Sequence, residues 1–150
     1  MTAMDKKELL ALRYELEALT IDFWHEVDHK GGQDAADYYV EDALFVTSVQ
    51  EYRGRESIRA FYERRRARAM PRLSIHVVQN FRIEVESPSR VHCRYVMSLF
   101  AADGVPVLES RPAIMMAMAH ETVTLQVDGR WLYESRVVHP LFRDGTPTTG

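Results

Sequence analysis

Apolar residues recur at Leu9, Leu12, Leu16, Leu19, Phe23 and Val27, the spacing that lays one stripe along a helix. Asp5 with Glu8 forms a capping-box pattern at its start, and Gly31-Gly32 is a strong stop. A second helix is expected over Gln33–Tyr39, with Ala36 and Tyr39 on its apolar face. "ALFVTS" (Ala43–Ser48) reads as a short strand and "QEYRG" (Gln50–Gly54) as a turn ending in glycine. A third helix is expected from Arg55 to Met70, with Ile58, Phe61 and Tyr62 inward and Pro71 closing it.

After Pro71 the period changes to two. Phe81, Ile83 and Val85 alternate with Arg82, Glu84 and Glu86, and Val91, Cys93, Tyr95, Met97 and Leu99 repeat the pattern. A strand from Pro112 to Val127 follows, then the hairpin signal Asp128-Gly129, then "RWLYESRVVH". Helices first and a meandering sheet afterwards predict an α+β fold, with helices packed on a curved, mostly antiparallel sheet. One domain is expected over the chain, its ordered core at 5–142 and a frayed tail from Arg143.

Charge and composition narrow the partners. The net charge of −3 gives no global attraction to nucleic acid or anionic membrane. The basic run "ERRRAR" (Glu63–Arg68) spreads over several helical faces and reads as a solvated face or subunit contact. The N-terminus lacks the apolar stretch of a secretory signal. The most apolar run, Ala113–Ala119, is far short of the ~20 residues a membrane helix requires. Cys93 is the sole cysteine, which rules out an intrachain disulfide and suits a cytoplasmic location.

The candidate chemistry starts at "WHEVDH" (Trp24–His29), which contains a literal H-E-x-x-H in His25, Glu26 and His29. A zinc hydrolase needs three protein ligands, and the position where the extended motif would place the third is Ala35. The alternative is that His25 and His29 are solvated side chains on the helix flank.

Four stretches in order, "FWHEVDHKGGQDAADYYVEDALFV", "YRGRESIRAFY", "SIHVVQNFRIE" and "DGRWLYESRVVHPLF", resemble the SnoaL-like branch of the nuclear transport factor 2-like superfamily. That branch includes scytalone dehydratase, hexachlorocyclohexane dehydrochlorinase and the β subunits of ring-hydroxylating dioxygenases. The resemblance covers Leu9 to Phe142 and implies a cone-shaped, cystatin-like α+β barrel with a pocket between sheet and helices. It also implies an Asp–His dyad, matched here by Val27-Asp28 and by the H-x-x-x-N of His76–Asn80. A neutral imidazole can take a proton from carbon, and a carboxylate on its other nitrogen fixes the tautomer. From the residues alone, His76 reads first as a strand histidine satisfied by its neighbours, and Asp28 as a helix-end carboxylate.

The resemblance further points to Arg136, five residues after Trp131, as a stabiliser of an anionic leaving group or enolate-like oxygen. Departures limit the substrate. The dehydrochlorinase's basic residue is replaced by Phe23, and the dehydratase's tyrosine before the Asp by Val27. Polar anchoring residues give way to methionine and alanine in "AIMMAMAH". An apolar pocket is expected from Phe23, Trp24, Tyr39, Phe45, Met97, Met115, Met116 and Met118, with His92 and His120 as further polar contributors. His139, before Pro140, reads as a solvated or interface histidine.

The expected function is a cofactor-independent lyase or isomerase on a small, largely apolar, cyclic or aromatic substrate. The alternative is a non-catalytic ligand-binding or assembly subunit like the dioxygenase β chain. No metal or other cofactor is expected, and a homo-oligomer, dimer or trimer, is.

Overall fold

The structure, a computed structural model, describes residues 3–148. Helix α1 runs from Lys6 to Lys30. Its capping box closes as the sequence predicts: Glu8 N–H donates to Asp5 Oδ1 at 2.8 Å, and Asp5 N–H to Glu8 Oε2 at 2.9 Å. The expected stripe is core from Leu12 onward, while Leu9 is exposed. Gly31 ends α1 with φ +67°, and Gly32 follows at φ +71°. A Cβ on Gly32 would sit 2.5 Å from the Tyr62 ring, so this turn must be glycine for two reasons.

The expected helix at Gln33–Tyr39 is a four-residue 3-10 turn, Ala35–Tyr38, because Tyr39 is drawn into the sheet. Strand β1 spans Tyr39–Val46, starting earlier than the expected Ala43, and β2, Glu51–Arg53, replaces most of the expected turn. Thr47 closes the β1–β2 connection, its Oγ1 accepting from Gln50 N–H at 3.0 Å. Helix α2 covers Arg55–Arg66, short of the expected Met70. It buries Ile58, Phe61 and Tyr62, as their spacing predicts.

Four long strands follow: β3 (Arg72–Ser87), β4 (Arg90–Asp103), β5 (Met115–Leu125) and β6 (Trp131–Arg143). The sheet order is β2-β1-β6-β5-β4-β3, antiparallel except for the β1–β6 pair. This is the predicted α+β arrangement, helices on one face of a curved sheet. No helix among the described residues is long and apolar enough to cross a membrane.

Two bulges decide which side chains face the helices. In β3, Gln79 pairs with Val96 and Arg82 with Arg94, so one residue is extra, and Asn80 takes φ +56° there. A left-handed conformation suits asparagine better than most non-glycine residues. Phe81, Ile83 and Val85 face the core after this bulge, and His76 and Val78 before it. In β6, Ser135 pairs with Thr122 and Tyr133 with Val123, leaving Glu134 extra. Tyr133 and Arg136 are therefore both buried, although simple alternation would separate them.

The tail from Arg143, expected to fray, lies against the body as far as Thr148. Asp144 N–H donates to Ile114 O at 3.0 Å, the Arg72 guanidinium to Pro147 O, and the Ser48 and Thr148 hydroxyls are 3.3 Å apart.

Candidate active site

Asp28 lies in the last turn of α1, where the helix dipole disfavours a negative charge. The carboxylate is held there by one residue of β3. His76 donates its backbone N–H to Asp28 Oδ2 at 2.7 Å, and its Nδ1 stands 2.6 Å from Oδ1. Both side chains are nearly enclosed, with 4% of Asp28 and 8% of His76 accessible. A carboxylate accepting at Nδ1 selects the tautomer with its proton there and leaves Nε2 as the basic nitrogen. No protein group among the described residues bonds Nε2.

The imidazole orientation has a second support. Trp24, one helical turn before Asp28, stacks on His76 with ring centroids 4.0 Å apart and planes 13° from parallel. Trp24 is itself fixed, because its Nε1–H donates to Tyr95 Oη at 2.8 Å. Burial depresses the His76 pKa below its ordinary value; Asp28 opposes this, and the charges of Arg65 and Arg136 reinforce it. The resting imidazole is therefore neutral near pH 7, the state a general base requires.

His76 faces a cavity of about 50 Å³. Its walls are mainly apolar, including Trp24, Val27, Phe45, Met97, Leu99 and Met115, with Tyr62 and Arg65 contributed by α2. Burial pushes the Tyr62 hydroxyl up to about 12. Such a space holds on the order of a few waters. Thr148 of the tail forms part of the lining.

The expected site residues divide into four groups, the last being Arg136 alone. Asp28, His76, Trp24, Phe45, Met97 and Met115 meet at or beside this cavity. Phe23 and Tyr39 are buried but pack around Arg136 instead of lining the cavity. Met116, Met118, His92 and His120 correct the pocket expectation: they point to the opposite face of the sheet. Along β5, Met115, Ala117, Ala119 and Glu121 are buried and the residues between them are not. His92 likewise faces outward, its Nε2 2.7 Å from Glu86 Oε2, and His120 packs edge-on against His139.

Arg136, expected to meet an anionic group in the pocket, is also corrected. It is wholly buried in the core. Its Nε donates to Glu121 Oε1 at 2.7 Å and its Nη1 to Tyr39 Oη at 2.8 Å, so Glu121 already supplies its anion. Its guanidinium carbon lies 3.7 Å from the Phe23 ring centroid and 4.2 Å from that of Tyr133.

Tyr62, Arg65, Leu99 and Val138 line the cavity but were absent from the sequence expectation. A signal existed for Arg65: it follows Phe61 by one helical turn on the inward face of α2. Nothing in the sequence separated Leu99 from other strand residues.

The H-E-x-x-H residues diverge. His25 and His29 are exposed, with ring centroids 4.7 Å apart. Glu26 turns inward, where its Oε1 accepts from Asp34 N–H at 2.8 Å and its Oε2 lies 3.6 Å from Lys30 Nζ. It serves the 3-10 turn. Among the described residues no group of three His, Cys, Asp or Glu is placed to hold a metal ion.

Comparison with known proteins agrees with this architecture. ActVI-ORFA of Streptomyces coelicolor superposes with a TM-score of 0.75 at 16% identity, over 87% of this chain and 98% of that one. A candidate scytalone dehydratase of Novosphingobium aromaticivorans gives 0.74 at 20% identity, over 93% and 91%. A Nostoc punctiforme protein with a cystatin-like fold gives 0.70 at 13%, over 97% of each. At such identities these likenesses establish the fold alone. No curated protein matches in sequence. The profile of the SnoaL-like domain matches residues 8–137, and the chain belongs to that family, within the NTF2-like fold.

Proposed function

We propose that this protein is a cofactor-independent lyase or isomerase, with His76 as general base and Asp28 as its orienting carboxylate. The observation that carries the reading is the enclosed 2.6 Å contact between His76 Nδ1 and Asp28, with Nε2 left for the apolar cavity. In the proposed step Nε2 takes a proton from a substrate carbon. The C–H electron pair becomes a C=C bond and the bond to a β leaving group breaks. For a hydroxyl leaving group, the imidazolium returns its proton and water departs. In an isomerase no leaving-group bond breaks, and the C–H pair instead shifts into an adjacent carbonyl π system as an enolate, to which the imidazolium returns the proton at another carbon. Asp28 stabilises the transient imidazolium, and the stacked Trp24 ring contributes cation–π attraction.

The substrate is proposed to be small and largely apolar, since the cavity walls offer few polar groups. Screening cyclic alcohols, enones and halides against the wild type and His76→Ala tests the reading. Turnover present in the wild type and lost in the variant supports it. A turned-over substrate for which His76→Ala keeps the wild-type kcat would make the pair structural.

A further inference from the structure

The basic run expected as a solvated face or subunit contact has a second side. Arg65 and Arg68 are half-buried, and with Arg66 and Arg72 they line a cavity of about 390 Å³. It lies beneath the end of α1, between the end of α2 and the start of β3. Asp28 lies on its wall, and Val27 and Arg65 line both this cavity and the one at His76.

The arginines are short of acceptors. Arg65 Nη2 donates to Ser74 Oγ at 2.8 Å, a neutral partner, and Arg66 Nη1 to Gly31 O at 3.3 Å. Arg68 and Arg72 share a single carboxylate oxygen, Asp103 Oδ1, at 3.1 and 3.3 Å. Arg72 also donates to Pro147 O. After these bonds Arg68 Nη1 and Arg72 Nε are buried without a protein acceptor among the described residues. Asp28, the acid on the wall of this cavity, has both oxygens hydrogen-bonded to His76. Burial and the charges of Arg68 and Arg65 lower the Arg72 pKa against the pull of Asp103, as crowded guanidiniums require. A chain with net charge −3 has thus gathered four cations around one hollow.

We infer that the cavity lined by Arg65, Arg68 and Arg72 binds an anionic oxygen group, carboxylate or phosphate, borne by the small molecule whose apolar body lies beside His76. Guanidinium groups match such oxygens in charge and in fork geometry. Arg65 and Val27, which line both cavities, stand between the charged end and the reacting end. The anion site stands on its own geometry; its link to a substrate rests on the function proposed above.

Calorimetric titration separates the two. Inorganic phosphate should bind one-to-one to the wild type. In Arg65→Gln and, separately, Arg68→Gln, binding should weaken by at least about tenfold at matched ionic strength. Unchanged circular dichroism and unfolding midpoint would show that each variant is folded. 3-Phenylpropanoate should bind the wild type at least about tenfold more tightly than 3-phenylpropanamide, and the arginine variants should lose that preference. Absence of saturable phosphate binding to the wild type, or affinity unchanged in both arginine variants, overturns the anion site. Phosphate binding without preference for the acid over the amide overturns its link to an apolar ligand. Anion binding intact in a protein whose turnover ignores His76→Ala would sink the proposed function and leave the site standing.

Discussion

Trp24 adjoins two buried acid–base pairs that differ in almost every consequence. Its ring stacks on His76, bound to Asp28, and the Arg136 guanidinium, bound to Glu121, lies 4.9 Å from the same ring's centroid. The Glu121 pair is sealed. Glu121 accepts from Arg136 and Tyr95 Oη through Oε1 and from Thr20 Oγ1 through Oε2, and four aromatic rings surround the guanidinium. Arginine cannot lose its proton under working conditions, so this pair is a permanent structural charge pair. The Asp28 pair contains an imidazole, which can gain and lose a proton, and it faces a cavity. Burial of opposite charges is common to both. What separates them is a group able to change protonation and somewhere for a ligand to stand.

The two pairs are nonetheless connected. Trp24 Nε1–H donates to Tyr95 Oη, and Tyr95 donates to Glu121. The sealed pair thereby anchors the ring on which the imidazole rests.

Four measurements can break or sharpen this contrast. The largest effect is expected in turnover: His76→Ala should lower kcat by about 10²–10⁴-fold on any substrate found, with the smaller loss in stability. Next, Glu121→Ala should destabilise the fold by about 3–5 kcal/mol in urea unfolding, because it leaves Arg136 buried and uncompensated. The double variant Glu121→Leu with Arg136→Met should recover much of that loss; no recovery would mean the pair is more than a matched burial. Third, Trp24→Phe should cost about 1–3 kcal/mol of stability by leaving Tyr95 without its donor, and should also reduce kcat. A stability loss with unchanged kcat would disconnect the two pairs.

The smallest effect is a pH slope. The His76 pKa is depressed in the fold, so the unfolded chain binds more protons as pH falls below about 6.5. Stability should decrease from that pH down through the depressed value, and kcat/KM should show an acid limb below 6.5. His120, also depressed by burial, adds a slope of the same sign. His76→Gln should flatten the slope and leave the share of His120, whereas the Arg136 pair supplies a constant term there. An unchanged slope in His76→Gln would place the proton uptake elsewhere.

Much of the fold was legible because it is local. The capping box of Asp5 and Glu8, the stripe from Leu12 to Val27 and the glycine stop each depend on residues within a turn or two. The site was legible only in part. Asp28 and His76 came together through a family resemblance, since they are 48 positions apart and neither has a distinctive local pattern. The pocket list failed where it treated apolar residues on one strand as equivalent: Met115 faces the cavity and Met116 does not.

The sequence by itself determined the kinds of elements and their order, because period and capping are written in neighbouring residues. It could not determine which face each chemical group would take. Continuing the alternation of Phe81, Ile83 and Val85 back along β3 would have turned His76 away from the helices, and continuing that of Tyr133 would have separated it from Arg136. The bulges at Asn80 and Glu134 reversed both assignments. A bulge is fixed by pairing with a distant strand, where one residue more or less shifts every side chain beyond it to the other face. That pairing exists only in the folded sheet, and it put His76 in the cavity and Arg136 in the core.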